Sequence, residues 1–129
     1  MVKSLLVISA GASLGAILRW GLGLTLNTFF SPVPLGTLAA NLLGGYCIGM
    51  ALGIFETLPK LGPEWNLLVI TGFLGALTTF STYSAEITAL FQQGRFFLAI
   101  TAISAHNIGS LCMTFLGLGS WTLIKSFSQ

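Results

Sequence analysis

Hydrophobic positions in this chain gather into four long runs, at about 5–26, 35–55, 67–91 and 96–124. A helix needs about 20 apolar residues to cross a hydrocarbon core, so each run is long enough to span a bilayer. The segments between them carry turn-forming residues. "NTFFSPVP" (27–34) has two prolines, "ETLPKLGPEW" (56–65) has two prolines and a glycine, and "QQGR" (92–95) is short and polar. Such clusters end helices and begin turns. The pattern predicts an all-α membrane protein of four helices forming one integral membrane domain over 1–129, with no length left for a soluble catalytic unit.

The polar residues inside the runs are not scattered. Thr37 and Asn41 lie four apart on one face of the second helix, and His106, Ser110 and Thr114 form a stripe at the same spacing on the fourth. A lone Ser or Thr in a membrane helix often bonds back to its own backbone. An amide such as Asn41, or a row of three polar groups, is not fully satisfied that way. Two such rows point to a wet groove or a network shared between subunits.

The third run is the least regular. Its midpoint falls near Thr79, and Thr78, Thr79, Ser81 and Thr82 surround that midpoint just after Gly72 and Gly75. Glycine and consecutive β-branched residues are weak helix formers, and hydroxyls can satisfy backbone groups freed by a break. The helix is therefore expected to be interrupted around 75–79. Irregular backbone at membrane depth persists only where protein buries it or water reaches it, and a broken helix commonly presents carbonyls to a cation. Phe80 and Tyr83 follow directly, three apart. Aromatic edges carry the positive part of the ring quadrupole, so edges turned into a narrow pore would attract an anion; a plain packing stripe is the alternative.

Composition agrees with a membrane protein and adds one point about orientation. The 129 residues are 54% hydrophobic and 6% charged, with mean hydropathy +0.92, against about 25% charged in soluble domains. Four spans put both termini and the 56–65 loop on one side. That side carries Lys3, Lys60 and Lys125, and the other carries Arg95 and, if it reaches the surface, Arg19. Topology follows the Lys/Arg imbalance, and here the imbalance is small. Insertion both ways, and so an antiparallel homodimer with its axis in the membrane plane, becomes possible. Such an axis passes through the midplane, where two copies of the interruption would meet and supply four carbonyl oxygens to a small monovalent cation. Small residues at helical spacing, Gly11 and Gly15 and then Gly45, Gly49 and Gly53, read as helix-packing faces. Trp20, Trp65 and Trp121 sit near span ends, where indoles favour the interface. Cys47 and Cys112 read as buried thiols, and Arg19 and Arg95 as snorkelling anchors.

The segments "GASLGAILRW" (11–20), "PLGTLAANLLGGYCIG" (34–49), "GFLGALTTFSTYSAE" (72–86) and "HNIGS" (106–110) resemble the Fluc family of bacterial fluoride channels, in order and across all four spans. The resemblance implies a dual-topology antiparallel homodimer in the bacterial inner membrane. It would conduct fluoride passively through two pores and so lower the cytoplasmic level of a toxic ion. It further implies a structural sodium ion, not transported, held by the backbone carbonyls of Gly75 and Thr78 of each subunit. Phe80 and Tyr83 map onto the two pore aromatics, Asn41 onto the pore asparagine, and Ser81, Thr82 and Ser110 onto the polar track. Thr37, Glu86, His106, Thr114 and Arg19 are secondary candidates at the pore and its mouth. Tyr83 departs from the family, which more typically has phenylalanine there.

The alternative is a small multidrug-type proton-coupled antiporter, also four-span and dual-topology. It requires a membrane-embedded carboxylate in the first span, where this chain has only Arg19. A non-conducting scaffold would explain the glycine faces but not Asn41 or the mid-span hydroxyls. An enzyme is not expected, since no nucleophile pattern or metal spacing accompanies Glu86 and His106. Membrane lipid, fluoride and a second copy are the expected partners, and nucleic acid is not.

Overall fold

A computed structural model describes residues 1–29, 33–58 and 60–127. Parts of two anticipated turns, 30–32 and Pro59, lie outside the described residues. Helix α1 is Val2–Leu26 and α2 is Leu35–Thr57. The third span is composite. A short α3 (Pro63–Asn66) leads into a π-helical stretch, Leu67–Leu74, then α4 (Gly75–Leu77), and after a break α5 (Phe80–Gln92). Helix α6, Phe96–Phe127, is the last described element. Among the described residues four helical stretches, the third taken as Pro63–Gln92, are long and apolar enough to cross a membrane. They match the four hydrophobic runs with slightly later or earlier ends. At 1.5 Å per residue the 32 residues of α6 reach about 48 Å, more than the roughly 30 Å hydrocarbon core, so this helix tilts or projects.

Two seams hold the bundle together. Helix α1 packs along the π-helical stretch and α4, while α2 packs along α6. In both, glycines allow the backbones to touch. A Cβ added at Gly11 would overlap the carbonyl of Leu68, and one at Gly49 would overlap the carbonyl of Thr114. The second seam is reciprocal, because a Cβ at Gly117 of α6 would overlap the Tyr46 carbonyl of α2. Without a hydrophobic force between helices in lipid, such close approach supplies the van der Waals contact that association needs. The glycine spacing is therefore structural, as the sequence indicated. Most large apolar side chains, such as Leu14, Phe97 and Phe115, remain exposed on the outer faces, as lipid contact requires. Cys47 is half-buried but Cys112 is exposed, so only one of the two thiols conforms to the expectation of burial. Helix α6 is α-helical through Cys112, and that position falls on its outer surface.

The turn between α5 and α6 closes as "QQGR" suggested. Gly94 takes φ +71°, the Arg95 amide donates to the Leu90 carbonyl at 2.9 Å, and the Gly94 amide donates to Phe91 at 3.0 Å. This pair of bonds with a left-handed glycine is the Schellman ending of a helix. On the opposite end of the bundle, Trp121 donates from Nε1 to the Thr57 hydroxyl at 2.9 Å, tying the end of α2 to α6.

The break is real but later and narrower than expected. Gly75 to Leu77 remain helical, and only Thr78 (φ −77°, ψ 152°) and Thr79 (φ −149°, ψ 120°) are extended. Glycine alone did not interrupt the helix. The two adjacent threonines do, and Thr79 then caps α5, its hydroxyl accepting from the Thr82 amide at 3.2 Å. The irregularity that sequence missed is the π-helix before the break, whose wide turns have no composition signal of their own.

Candidate functional site

Breaking a helix in lipid exposes amides and carbonyls that water cannot reach. Two side chains from neighbouring helices meet that demand here. The Asn41 carboxamide reads both faces of the Thr79 peptide residue: its Oδ1 accepts from the Thr79 amide at 2.8 Å, and its Nδ2 donates to the Thr79 carbonyl at 3.1 Å. Because a peptide N–H can only donate and a carbonyl only accept, the backbone fixes which way round the Asn41 amide lies. The same Nδ2 lies 3.1 Å from His106 Nδ1. Both amide hydrogens are thereby engaged. Arg19, from α1, donates from Nε to the Ala76 carbonyl at 3.0 Å, a carbonyl stranded by the break. A cation at the C-terminal end of a helical segment also complements its dipole. Arg19 is thus a cap on the broken helix and not the surface anchor that its place near a span end suggested.

The break separates two cavities. The larger, about 490 Å³, is lined by Asn41, Gly75, Thr78, Phe80, Tyr83, His106 and Ser110 among others. The second, about 360 Å³, holds Arg19, Trp20, Asn27, Thr37, Thr82 and Glu86. Thr79 lines both. The Thr37–Asn41 stripe of α2 therefore runs from one cavity to the other, past the interruption. In the second cavity the Thr37 hydroxyl donates to the Glu86 carboxylate. Thr37 is 7% exposed, so this is a protected contact.

An aromatic row lines the larger cavity. The rings of Phe80 and Tyr83 have centroids 5.4 Å apart at 53°, and Tyr83 and His106 are 4.7 Å apart at 42°. Such tilted arrangements bring ring edges toward neighbouring faces. The two aromatics differ in environment: Phe80 is 76% exposed on the protomer surface and Tyr83 only 9%. The Tyr83 hydroxyl accepts from Asn107 Nδ2 at 3.0 Å, and the same nitrogen donates to the Ile103 carbonyl at 2.8 Å. His106 is 5% exposed, and its Nε2 has no hydrogen-bond partner among the described residues.

Residues 6–118 match the family described as CrcB-like protein, Camphor Resistance (CrcB). The chain belongs to this family. Among its relatives, the protein named fluoride-specific ion channel FluC from Desulfovibrio desulfuricans is 59% identical over 126 residues, covering 98% of each chain. The FluC proteins of Tolumonas auensis and Pseudomonas aeruginosa are 60% and 58% identical, over 97% of this chain and 98% and 100% of their own. The CrcB-like match reaches into all four spans and includes the break and the residues lining both cavities.

Against that family membership, the candidate residues fall into three groups. Asn41, Phe80, Tyr83, His106 and Ser110 converge on the larger cavity, with Gly75 and Thr78 on its wall. Thr37, Thr82, Glu86 and Arg19 converge on the other. Ser81 lies at the start of α5, its hydroxyl 3.3 Å from that of Thr79, and lines neither cavity. Thr114 bonds back to the Ser110 carbonyl at 2.9 Å, the ordinary local satisfaction of a helical threonine. Two residues were overlooked in the sequence. Asn107 is adjacent to His106 and was available as a second in-span amide. Thr79 stands out in the sequence only as part of the break, and nothing in its spacing marks it as the wall shared by two cavities.

Proposed function

We propose that the chain conducts fluoride passively across the membrane, as an antiparallel homodimer whose two breaks meet at the midplane. The observation that carries this is the pair of cavities on either side of the break, joined by polar side chains, in a chain 54–60% identical to relatives named fluoride-specific ion channels. Fluoride enters beside Arg19, Thr37 and Thr82, passes the start of α5, and moves along Phe80, Tyr83 and Ser110. The half-helix N-terminus at the break adds partial positive charge along that path. Selectivity follows filter logic with donors in place of carbonyls: closely spaced donors replace the water shell of a small ion and fit a larger halide poorly.

The pairing of two copies is supported by Gly75. A Cβ there would meet only the Ile70 carbonyl at 3.5 Å, an ordinary contact, so nothing inside the protomer requires glycine. A second chain or an ion against that face would. Among the described residues no side chain or loop amide donates to the carbonyls of Gly75 and Thr78. The described residues also contain no cluster of His, Cys, Asp or Glu suited to a metal. Neutral carbonyl oxygens are the chemistry that a hard monovalent cation accepts. Gly75 and Thr78 of two copies would hold sodium, which would contribute fixed positive charge beside the anion paths. The bacterial inner membrane is the corresponding location.

The antiporter alternative has no support in the family match, and the one carboxylate of the third span facing a cavity, Glu86, is engaged by Thr37. The deciding experiment is flux from liposomes loaded with fluoride or chloride, with an ionophore to clear the voltage. Rapid fluoride release with retained chloride is expected. Release that requires a proton gradient, or equal release of both anions, would remove the proposal.

A further inference from the structure

Two protons on buried side chains in the larger cavity have no acceptor among the described residues, and each is set in place by an asparagine. On one side, Asn41 Nδ2 bonds the Thr79 carbonyl and faces His106 Nδ1. Since the Thr79 amide occupies Oδ1, the group facing the imidazole is a donor, and Nδ1 must accept. A neutral imidazole that accepts at Nδ1 carries its proton at Nε2, and Nε2 is the buried atom without a partner. On the other side, Asn107 Nδ2 bonds the Ile103 carbonyl at 2.8 Å, which identifies it as the nitrogen, and so it donates to the Tyr83 oxygen. The phenol accepts there and its own O–H proton is left for something else. The two rings touch, with centroids 4.7 Å apart, and both line the larger cavity.

We propose that Tyr83 Oη–H and His106 Nε2–H form a two-donor subsite for a small anion, with Asn41 and Asn107 acting as positioning residues that have no hydrogen to spare for the ion. The subsite rests on the fluoride-conducting function proposed above and makes it specific: the second aromatic of this chain addresses the ion through its hydroxyl and not only through its ring edge. Fluoride suits such a pair because it is compact and a strong acceptor, and hydrogen bonds to an ionised acceptor are short and about twice as strong as neutral ones. The neutral imidazole is essential. A proton on Nδ1 would face the Asn41 donor and break the link to the Thr79 residue.

The chain contains a single histidine, so ¹⁵N-histidine labelling of the full-length protein gives one imidazole to observe. Without fluoride, the spectrum is expected to show a bare Nδ1 and a protonated Nε2. Added fluoride should shift the Nε2 signal, with chloride at the same concentration leaving it in place. Tyr83→Phe removes one donor and should raise the fluoride concentration for half of that shift roughly tenfold, the equivalent of one charge-assisted hydrogen bond. A protonated Nδ1, or a Tyr83→Phe titration identical to the parent, overturns the subsite. A preparation that passes fluoride in liposomes yet shows no response at Nε2 also overturns it and leaves the channel function standing. One that passes no fluoride while Nε2 still responds supports the subsite and removes the channel function.

Discussion

Replacing Asn41 tests how the break is held. In Asn41→Ala three hydrogen bonds disappear: those at 2.8 and 3.1 Å to the Thr79 backbone and that at 3.1 Å to His106. Polar contacts between membrane helices average about 0.6 kcal/mol each, which sets a floor of about 2 kcal/mol for three. The Thr79 amide and carbonyl, however, lose their partners at membrane depth, and each orphaned buried group costs about 1–3 kcal/mol. The expected loss is therefore about 2–6 kcal/mol, a large part of the 5–15 kcal/mol typical of a folded domain. Unfolding by a graded detergent titration, followed through the three tryptophans, would measure it. Thr114→Val serves as the control, because that hydroxyl bonds only to the Ser110 carbonyl of its own helix, and its loss is expected to stay below about 1 kcal/mol. Asn41→Asp is the sharper variant. It keeps an acceptor for the Thr79 amide but turns an acceptor on the Thr79 carbonyl and sets negative charge between the cavities, so fluoride flux should collapse even where folding survives. If Asn41→Ala unfolds at the same detergent fraction as the parent, the amide does not hold the break.

Three further outcomes follow from the geometry. Phe80→Ile should lower fluoride efflux from liposomes, and unchanged efflux would remove the ring from the ion path. Arg19→Gln should destabilise the protein by about 1.5–3 kcal/mol, the range for a hydrogen bond from a charged group, as the Ala76 carbonyl loses its partner; a loss seen only in flux, with stability intact, would return Arg19 to a purely electrostatic role. Gly49→Ala and Gly75→Ala should separate two kinds of glycine. The first drives a methyl into the Thr114 carbonyl and should cost about 1–3 kcal/mol through overpacking. The second has room inside the protomer and should leave protomer folding unchanged while weakening the dimer measured by cross-linking; a fully dimeric Gly75→Ala protein would argue against pairing at the break.

Four helices were legible in the hydrophobic runs because lipid imposes a length and a solvent preference that no soluble context blurs. The small-residue faces were legible for the same reason, since only glycine permits the contact between Gly49 and the Thr114 backbone. The break was placed correctly in its helix but three residues too early at its start, because weak propensity at Gly75 was outvoted by continuing helical hydrogen bonds until the Thr78–Thr79 pair. Roles were harder to read than positions. Asn41 stood out as a polar residue in an apolar helix, yet nothing in the sequence says that its two hydrogens go to Thr79 and His106. Those assignments depend on which helices become neighbours. The Asn107–Tyr83 contact was invisible for the same reason: the partners lie on α6 and α5, and only the tight Gly94 turn brings those helices back to back.

The wide turns of Leu67–Leu74 have a consequence for insertions and deletions in this span. A π-turn accommodates surplus residues without lengthening the helix in proportion. Removing one residue there would let the segment rewind to 3.6 residues per turn with its two flanks in nearly the same phase, whereas a deletion in the regular helix α5 would swing one flank by about 100°. Gly72, inside the segment, meets the backbone of α1 at Ile8 and Gly11, while Thr78 begins the interruption four residues beyond its end. The segment therefore works as a phase adjuster, letting one helix satisfy a glycine seam on one flank and a fixed interruption on the other.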